Sequence, residues 1–239
     1  MTDIPNTFNL DGERIHFEPG ETILQAALKA GHFIPHLCAN PEFTPHGSCK
    51  LCLVVVNNRS GSACVMKALP GLEVQSDTPD LNHRRRTLLQ MLFVEGNHFC
   101  PGCEKSGNCK LQALAYDLEM FNDHFTHFFQ PREVDASHPD FFLDRNRCIN
   151  CELCVRASRE VDGKNVFGIA GRSLEAHIVV NSPTGLLGDS TFAKTDRAAE
   201  VCPVGALLPK EVGFRKPIGA RLYDSAPISQ TPTAVKEEV

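Results

Sequence analysis

Short runs of alternating apolar and polar side chains open the chain. Residues 7–10 and 14–17 alternate in this way around Asp11-Gly12, a hairpin turn pair, so two antiparallel strands are predicted. Pro19-Gly20 turns the chain. Ile23, Leu24, Ala27 and Leu28 then share one helical face, and Gly31 is placed to end that helix. Residues 51–56 are apolar and rich in valine, the pattern of a buried strand. Residues 57–61 read as a turn, 62–66 as the returning strand and 72–75 as one more.

Further along, the period changes from two to nearly four. Thr78 is a good N-cap and Pro79 a good first helical residue. Leu81, Leu88, Leu89, Leu92 and Phe93 mark one face of a helix that ends near Gly96, and Leu111, Leu114, Ala115 and Leu118 mark a second helix. Residues 121–141 are irregular and rich in Phe and His. They read as a connector whose histidines are polar edges of a packed loop. From 142 onward the pattern predicts a loop, a short helix, strands near 166–169 and 177–180, and a helix ending at Cys202. Residues 217–239 lack periodicity and are expected to be a tail, disordered or draped on a partner. The predicted division is therefore 1–77, 78–120, a connector at 121–141, 142–216, and a tail at 217–239.

Composition changes this picture in one respect. The chain has 239 residues, no Trp, 16 Pro and 17 Gly, which favours several small loop-rich units over one large core. Units of that size need staples. The N-terminus lacks the basic and apolar segments of an export signal, and no apolar run reaches the length of a membrane span. A cytoplasmic location is expected, where thiols stay reduced. A net charge of −5 gives no support to nucleic-acid binding. The one basic run, Arg84-Arg85-Arg86, reads as a solvated helix face, with contact to a partner subunit as the less favoured reading.

The staples are legible in the eleven cysteines, which fall into three groups. Cys38, Cys49, Cys52 and Cys64 form C-x10-C-x2-C-x11-C. Strand–strand–helix–strands is the order of a β-grasp ferredoxin, and in that setting four such cysteines point to a [2Fe–2S] cluster. Gly47-Ser48 precedes Cys49, where backbone must approach the sulfides. Cys100, Cys103 and Cys109 supply three ligands of a cubane, and His98 stands beside this triad, which is short of one ligand. The same set also accommodates a [3Fe–4S] cluster without histidine, or a Cys100–Cys103 redox dithiol. Cys148, Cys151 and Cys154 form C-x2-C-x2-C, closed after a long gap by Cys202-Pro203. No second such run is present, so Cys202 returns to its own [4Fe–4S] cluster. A zinc-stapled binding protein is the competing reading from another class.

No G-x-G-x-x-G after a strand, no G-x4-G-K-[ST] and no Ser-His-Asp arrangement is evident. The chain shows no NAD, flavin or nucleotide site of its own. The expected fold class is α+β: a [2Fe–2S] β-grasp ferredoxin domain, a helical His/Cys3 unit and a C-terminal [4Fe–4S] ferredoxin-like unit.

Several segments carry a specific resemblance: Glu95-Gly96-Asn97-His98-Phe99-Cys100, Gly107-Asn108-Cys109-Lys110-Leu111-Gln112, Cys202-Pro203-Val204-Gly205-Ala206-Leu207, and Val212-Gly213-Phe214 with Pro217-Ile218-Gly219. With these segments the chain resembles the small iron–sulfur subunit of the diaphorase module in bidirectional NAD-reducing nickel–iron hydrogenases. Over about residues 6–215 it is also similar to the N-terminal iron–sulfur regions of the large peripheral-arm subunit of respiratory complex I and of iron-only hydrogenases. The complex I pattern would place its histidine at position 96, where this chain has Gly96; here the histidine is His98. The resemblance implies a relay that carries single electrons through one [2Fe–2S] and two [4Fe–4S] clusters, with no substrate site of its own. Its partners would be a flavin/NAD-binding subunit and nickel–iron hydrogenase subunits. A soluble formate dehydrogenase is the alternative setting.

Overall fold

The structure is a computed structural model that describes residues 6–122 and 124–231. The chain divides into two compact units at Leu88–Leu89.

In the first unit, β1 (Thr7–Leu10) and β2 (Glu13–His16) form the expected hairpin, with Thr7 opposite His16 and Leu10 opposite Glu13. The turn needs left-handed backbone at both corners: Asp11 has φ 51° and Gly12 φ 92°. Helix α1 (Ile23–Lys29) starts with a capping box, in which Thr22 accepts from the Gln25 amide and Gln25 reaches back to Thr22. It is followed by β3 (Leu53–Val56), β4 (Arg59–Ser62) and β5 (Glu73–Gln75). The sheet order is β2-β1-β5-β3-β4, with β1 and β5 parallel. Phe8, Leu10, Ile15, Ile23, Leu24, Val54 and Val74 form the core, and Cys52 and Cys64 belong to it.

Two expectations are corrected here. The turn after β3 is only Asn57-Asn58, both with positive φ, and the returning strand stops at Ser62. Residues 63–65 turn and carry Cys64 into the core. A strand through 62–66 would have alternated faces and pointed neighbours of Cys64 away.

Helix α2 (Pro79–Glu95) begins where Thr78 accepts from the Leu81 amide. Arg85, read as part of a solvated face, is instead 1% exposed, whereas Arg84 is exposed and paired with Asp80. Arg85 lies one turn from Leu81 and from Leu89, both buried, so it stands on the inward face.

In the second unit, a single 3-10 turn at Cys100–Gly102 precedes α3 (Lys110–Asp117). Strands β6 (Val134–Asp135) and β7 (Phe141–Asp144) follow, then α4 (Leu153–Glu160), β8 (Phe167–Ala170) and β9 (His177–Val180). The helix expected before Cys202 is one turn, α5 (Arg197–Glu200), and β10 (Leu207–Pro209) comes after it. β10 pairs with β7 and β7 with β6, all antiparallel; β8 and β9 form a separate hairpin. Residues 217–231 run back to the second cysteine loop. Leu222 N donates to Asn108 Oδ1 and Tyr223 N to the Gly107 carbonyl. Residues 232–239, the end of the expected tail, lie outside the described residues.

Candidate metal centres

Each cysteine group is folded by residues in left-handed backbone. Gly47 and Lys50 flank Cys49 with φ 71° and 56°; Gly107 has φ 79° before Cys109; Asn150 and Glu152 flank Cys151 with φ 49° and 58°. Such turns aim successive N–H groups into a concavity, the arrangement that receives anionic groups.

Group one brings four sulfurs together. The thiols of Cys49 and Cys64 contact the Cys38 sulfur and hold its pKa well below the thiol range, while Cys49 and Cys64, as the donors, are held above it. Cys64 likewise contacts Cys52 and lowers its pKa. Arg85 Nε donates to the Leu51 carbonyl at 3.0 Å and its terminal nitrogen to the Leu53 carbonyl at 2.7 Å, one on each side of Cys52.

Group two lines one hollow with His98, Cys100, Cys103 and Cys109, together with Phe93, Arg147 and Gly205. Burial, followed by the charge of Arg147, pushes the His98 pKa down to about 4, so the ring is neutral near pH 7. The main chain at Leu92 bonds the ring. Its Nε2 is buried and is the only buried side-chain nitrogen or oxygen without a partner among the described residues. A buried nitrogen left this way is costly unless something binds it. Burial pushes the Cys109 thiol up to about 12 and raises Cys100 as well. Such thiols become thiolates only when a cation compensates them.

Two glycines make room at group two. A Cβ on Gly205 would stand 2.7 Å from Cys103 Sγ. A Cβ on Gly96 would stand 2.5 Å from His98 Nε2 and 3.1 Å from the Asn146 carbonyl. The glycine at position 96 therefore clears the space into which the His98 ring projects. Arg147 adds a cation: one terminal nitrogen lies 3.7 Å from Cys103 Sγ and 2.7 Å from Glu104, and its Nε lies 2.9 Å from Asp144.

Group three places Cys148, Cys151, Cys154 and Cys202 around a second, largely apolar hollow with Leu143, Ile149, Ile178 and Pro203. Cys202, distant in sequence, is thus brought to the C-x2-C-x2-C run. Burial pushes Cys148 up to about 12 and raises Cys154 well above the usual thiol range. Beneath the loop, buried Arg156 donates to the carbonyls of Cys151 and Glu152, each at 3.3 Å.

All twelve expected residues therefore stand in three sets. The sequence reading missed Arg85, Arg147, Arg156, Gly96 and Gly205. An arginine within a few residues of a cysteine loop was the available signal for Arg147 and Arg156. For Arg85, the signal was its spacing of four from Leu81 and Leu89.

Three segments match known families: residues 5–79 a 2Fe-2S iron-sulfur cluster binding domain, 85–124 the NADH-ubiquinone oxidoreductase-G iron-sulfur binding region, and 141–208 a 4Fe-4S single cluster domain. The chain is 37% identical over 216 residues to the gamma subunit of the NAD-reducing hydrogenase HoxS of Cupriavidus necator, covering 90% of this chain and 92% of that one. The chain belongs to the HoxS gamma family. A crystal structure of an NAD+-reducing [NiFe]-hydrogenase in the H2-reduced state contains a chain 55% identical, with a TM-score of 0.92, covering 94% of this chain and 96% of that one. The mitochondrial NADH-ubiquinone oxidoreductase 78 kDa subunit of Candida albicans is 31% identical over 86% of this chain, but the match spans only 29% of that relative. The HoxS gamma relative is thus similar end to end, whereas the longer protein shares one part. Among the described residues, no helix is long and apolar enough to cross a membrane.

Proposed function

We propose that this chain is the electron-relay subunit of a cytoplasmic NAD-reducing nickel–iron hydrogenase. Cys38, Cys49, Cys52 and Cys64 hold a [2Fe–2S] cluster in a β-grasp domain. His98, Cys100, Cys103 and Cys109 hold one [4Fe–4S] cluster; Cys148, Cys151, Cys154 and Cys202 hold another. The division into units at 1–77, 78–120 and 142–216, joined by 121–141, belongs to the same reading, with 217–239 as the terminal segment. Its partners are a flavin/NAD-binding subunit and nickel–iron hydrogenase subunits, and it carries no substrate site of its own.

The observation that carries this reading is the orphaned, buried His98 Nε2 in a residue that lines the same hollow as Cys100, Cys103 and Cys109. A neutral imidazole nitrogen with no hydrogen-bond partner, on a residue that lines a hollow with three cysteines, fits a histidine ligand to a cubane. A redox dithiol would use Cys100 and Cys103 and leave both His98 and Cys109 without a task. Bound clusters supply one-electron storage and release. The chain's own residues keep water away, bring backbone N–H groups near the sulfur atoms and hold the ligands apart. The end-to-end likeness to hydrogenase subunits favours this setting over a formate dehydrogenase.

The test uses the assembled complex, purified without oxygen. NADH or H2 is added, and low-temperature electron paramagnetic resonance (EPR) spectra are recorded. Signals of a reduced [2Fe–2S] and of reduced [4Fe–4S] centres, with nickel in the same preparation, are expected. Clusters that neither donor reduces, or a complex holding molybdenum or tungsten in place of nickel, would contradict the proposal.

A further inference from the structure

Arg85 is the largest fully buried side chain among the described residues. Its guanidinium is spent on three neutral oxygens: the carbonyls of Leu51 and Leu53, and Asn82 Oδ1 at 2.8 Å. No carboxylate of the described residues lies at ion-pair distance from it. The acidic groups that act on it electrostatically are Asp77, Cys52 and Asp11, in that order. Asp77 is one residue removed, since its Oδ1 accepts from Asn82 Nδ2 at 2.7 Å. Asp11 is engaged with Ser76.

A buried cation without a contact counter-ion is strongly unfavourable. The fold spends this position on one, and it clamps the two carbonyls that flank Cys52. A [2Fe–2S] cluster with four thiolates is a dianion when oxidised and a trianion after gaining one electron. Such a group beside Cys52 provides the missing counter-charge, and its reduced form gains more from the cation than its oxidised form.

We propose that Arg85 is the buried counter-ion of the group-one cluster, a positioning residue that fixes Cys52 and raises the reduction potential of that cluster. The inference rests on the reading of Cys38, Cys49, Cys52 and Cys64 as [2Fe–2S] ligands. It assigns to Arg85 a role that a solvated surface arginine cannot play, because a cation in water is screened.

The test is an EPR-monitored redox titration of the full chain in its complex, with dithionite as electron donor and with iron and sulfide measured on each sample. In Arg85→Gln the [2Fe–2S] midpoint is expected to fall, so that the reduced-to-oxidised ratio at the parent's midpoint drops about tenfold, or 59 mV for a one-electron couple. Arg85→Lys keeps the charge and is expected to recover most of that shift. The [4Fe–4S] midpoints stay unchanged. A full cluster with an unmoved midpoint in Arg85→Gln overturns the proposal, as does an equal fall in Arg85→Lys. If neither variant retains the cluster, the double variant Asp77→Asn with Asn82→Asp leaves Arg85 in place. It conserves net charge while setting a carboxylate against the guanidinium. Its midpoint is expected to fall, and an unmoved one overturns the proposal. A parent protein with no [2Fe–2S] signal at all would instead overturn the reading of the four cysteines.

Discussion

The amide of Lys110 donates to the carbonyl of Pro203 at 2.9 Å. Each residue directly follows a cysteine, Cys109 of the second group and Cys202 of the third. Two further contacts tie the same groups. Arg147, next to Cys148, reaches Cys103 Sγ, and Gly205, three residues past Cys202, packs against that same sulfur. The second and third groups are thus built into one another, so a change in either segment reaches both.

Gly205→Ala tests this directly. Its Cβ would enter at 2.7 Å from Cys103 Sγ, with Lys105 and Arg147 also close. Overpacking of this kind costs about 1–3 kcal/mol. Thermal unfolding should therefore occur at lower temperature, and the signal of the second group should broaden or be lost, although the substitution lies in the segment that follows Cys202. A variant with parental stability and spectra would contradict the packing described.

His98→Ala removes the only imidazole in the second hollow. The expected product is a [3Fe–4S] centre, about one iron fewer per chain, with its own EPR signature in the oxidised state. Gly96→Ala should act in the same direction without touching a ligand, because its methyl group displaces the His98 ring. Iron analysis and EPR of both variants check this. An unchanged iron count in His98→Ala would assign the fourth position to another group.

Asp135 sets a pH dependence away from the cysteines. Burial works to raise its pKa, but the amide and hydroxyl of Ser137, the Leu187 amide and Arg145 outweigh it and hold the carboxyl below its usual range. A folded-state pKa that is depressed contributes stability above the unfolded carboxylate value, about 3.9. That contribution is lost as pH falls through the folded value. Asp135→Asn should therefore be less stable by about 1–3 kcal/mol at pH 7, and the gap to the parent should close in acid. Urea midpoints measured against pH check this; a gap that does not vary with pH would contradict it.

Periodicity and turn chemistry made much of the fold legible. The Asp11-Gly12 hairpin, the apolar face of α1 and the apolar face of α3 all follow from local preferences. The strands β6, β7 and β10 were not foreseen. They are two to four residues long and are held by pairing between segments far apart, such as Leu207 with Leu143, which no local pattern records. The twelve candidate ligands were legible because metal chemistry restricts residue type and spacing together. The arginines were not. Arg85 stands in a basic run that masks its spacing of four from Leu81 and Leu89, and its partners, the Leu51 and Leu53 carbonyls, are set by tertiary position alone. Residues 217–231 were hidden for a related reason: they are held by hydrogen bonds from Leu222 and Tyr223 to the second cysteine loop, and not by an apolar face.

The central claim is that three iron–sulfur clusters occupy the three cysteine sets, and metal analysis of anaerobically purified protein tests it most directly. Iron, acid-labile sulfide and zinc are measured per chain. About ten irons with a matching amount of sulfide are predicted for one [2Fe–2S] and two [4Fe–4S] clusters. Zinc without iron would contradict the account and leave a zinc-stapled protein with no redox role.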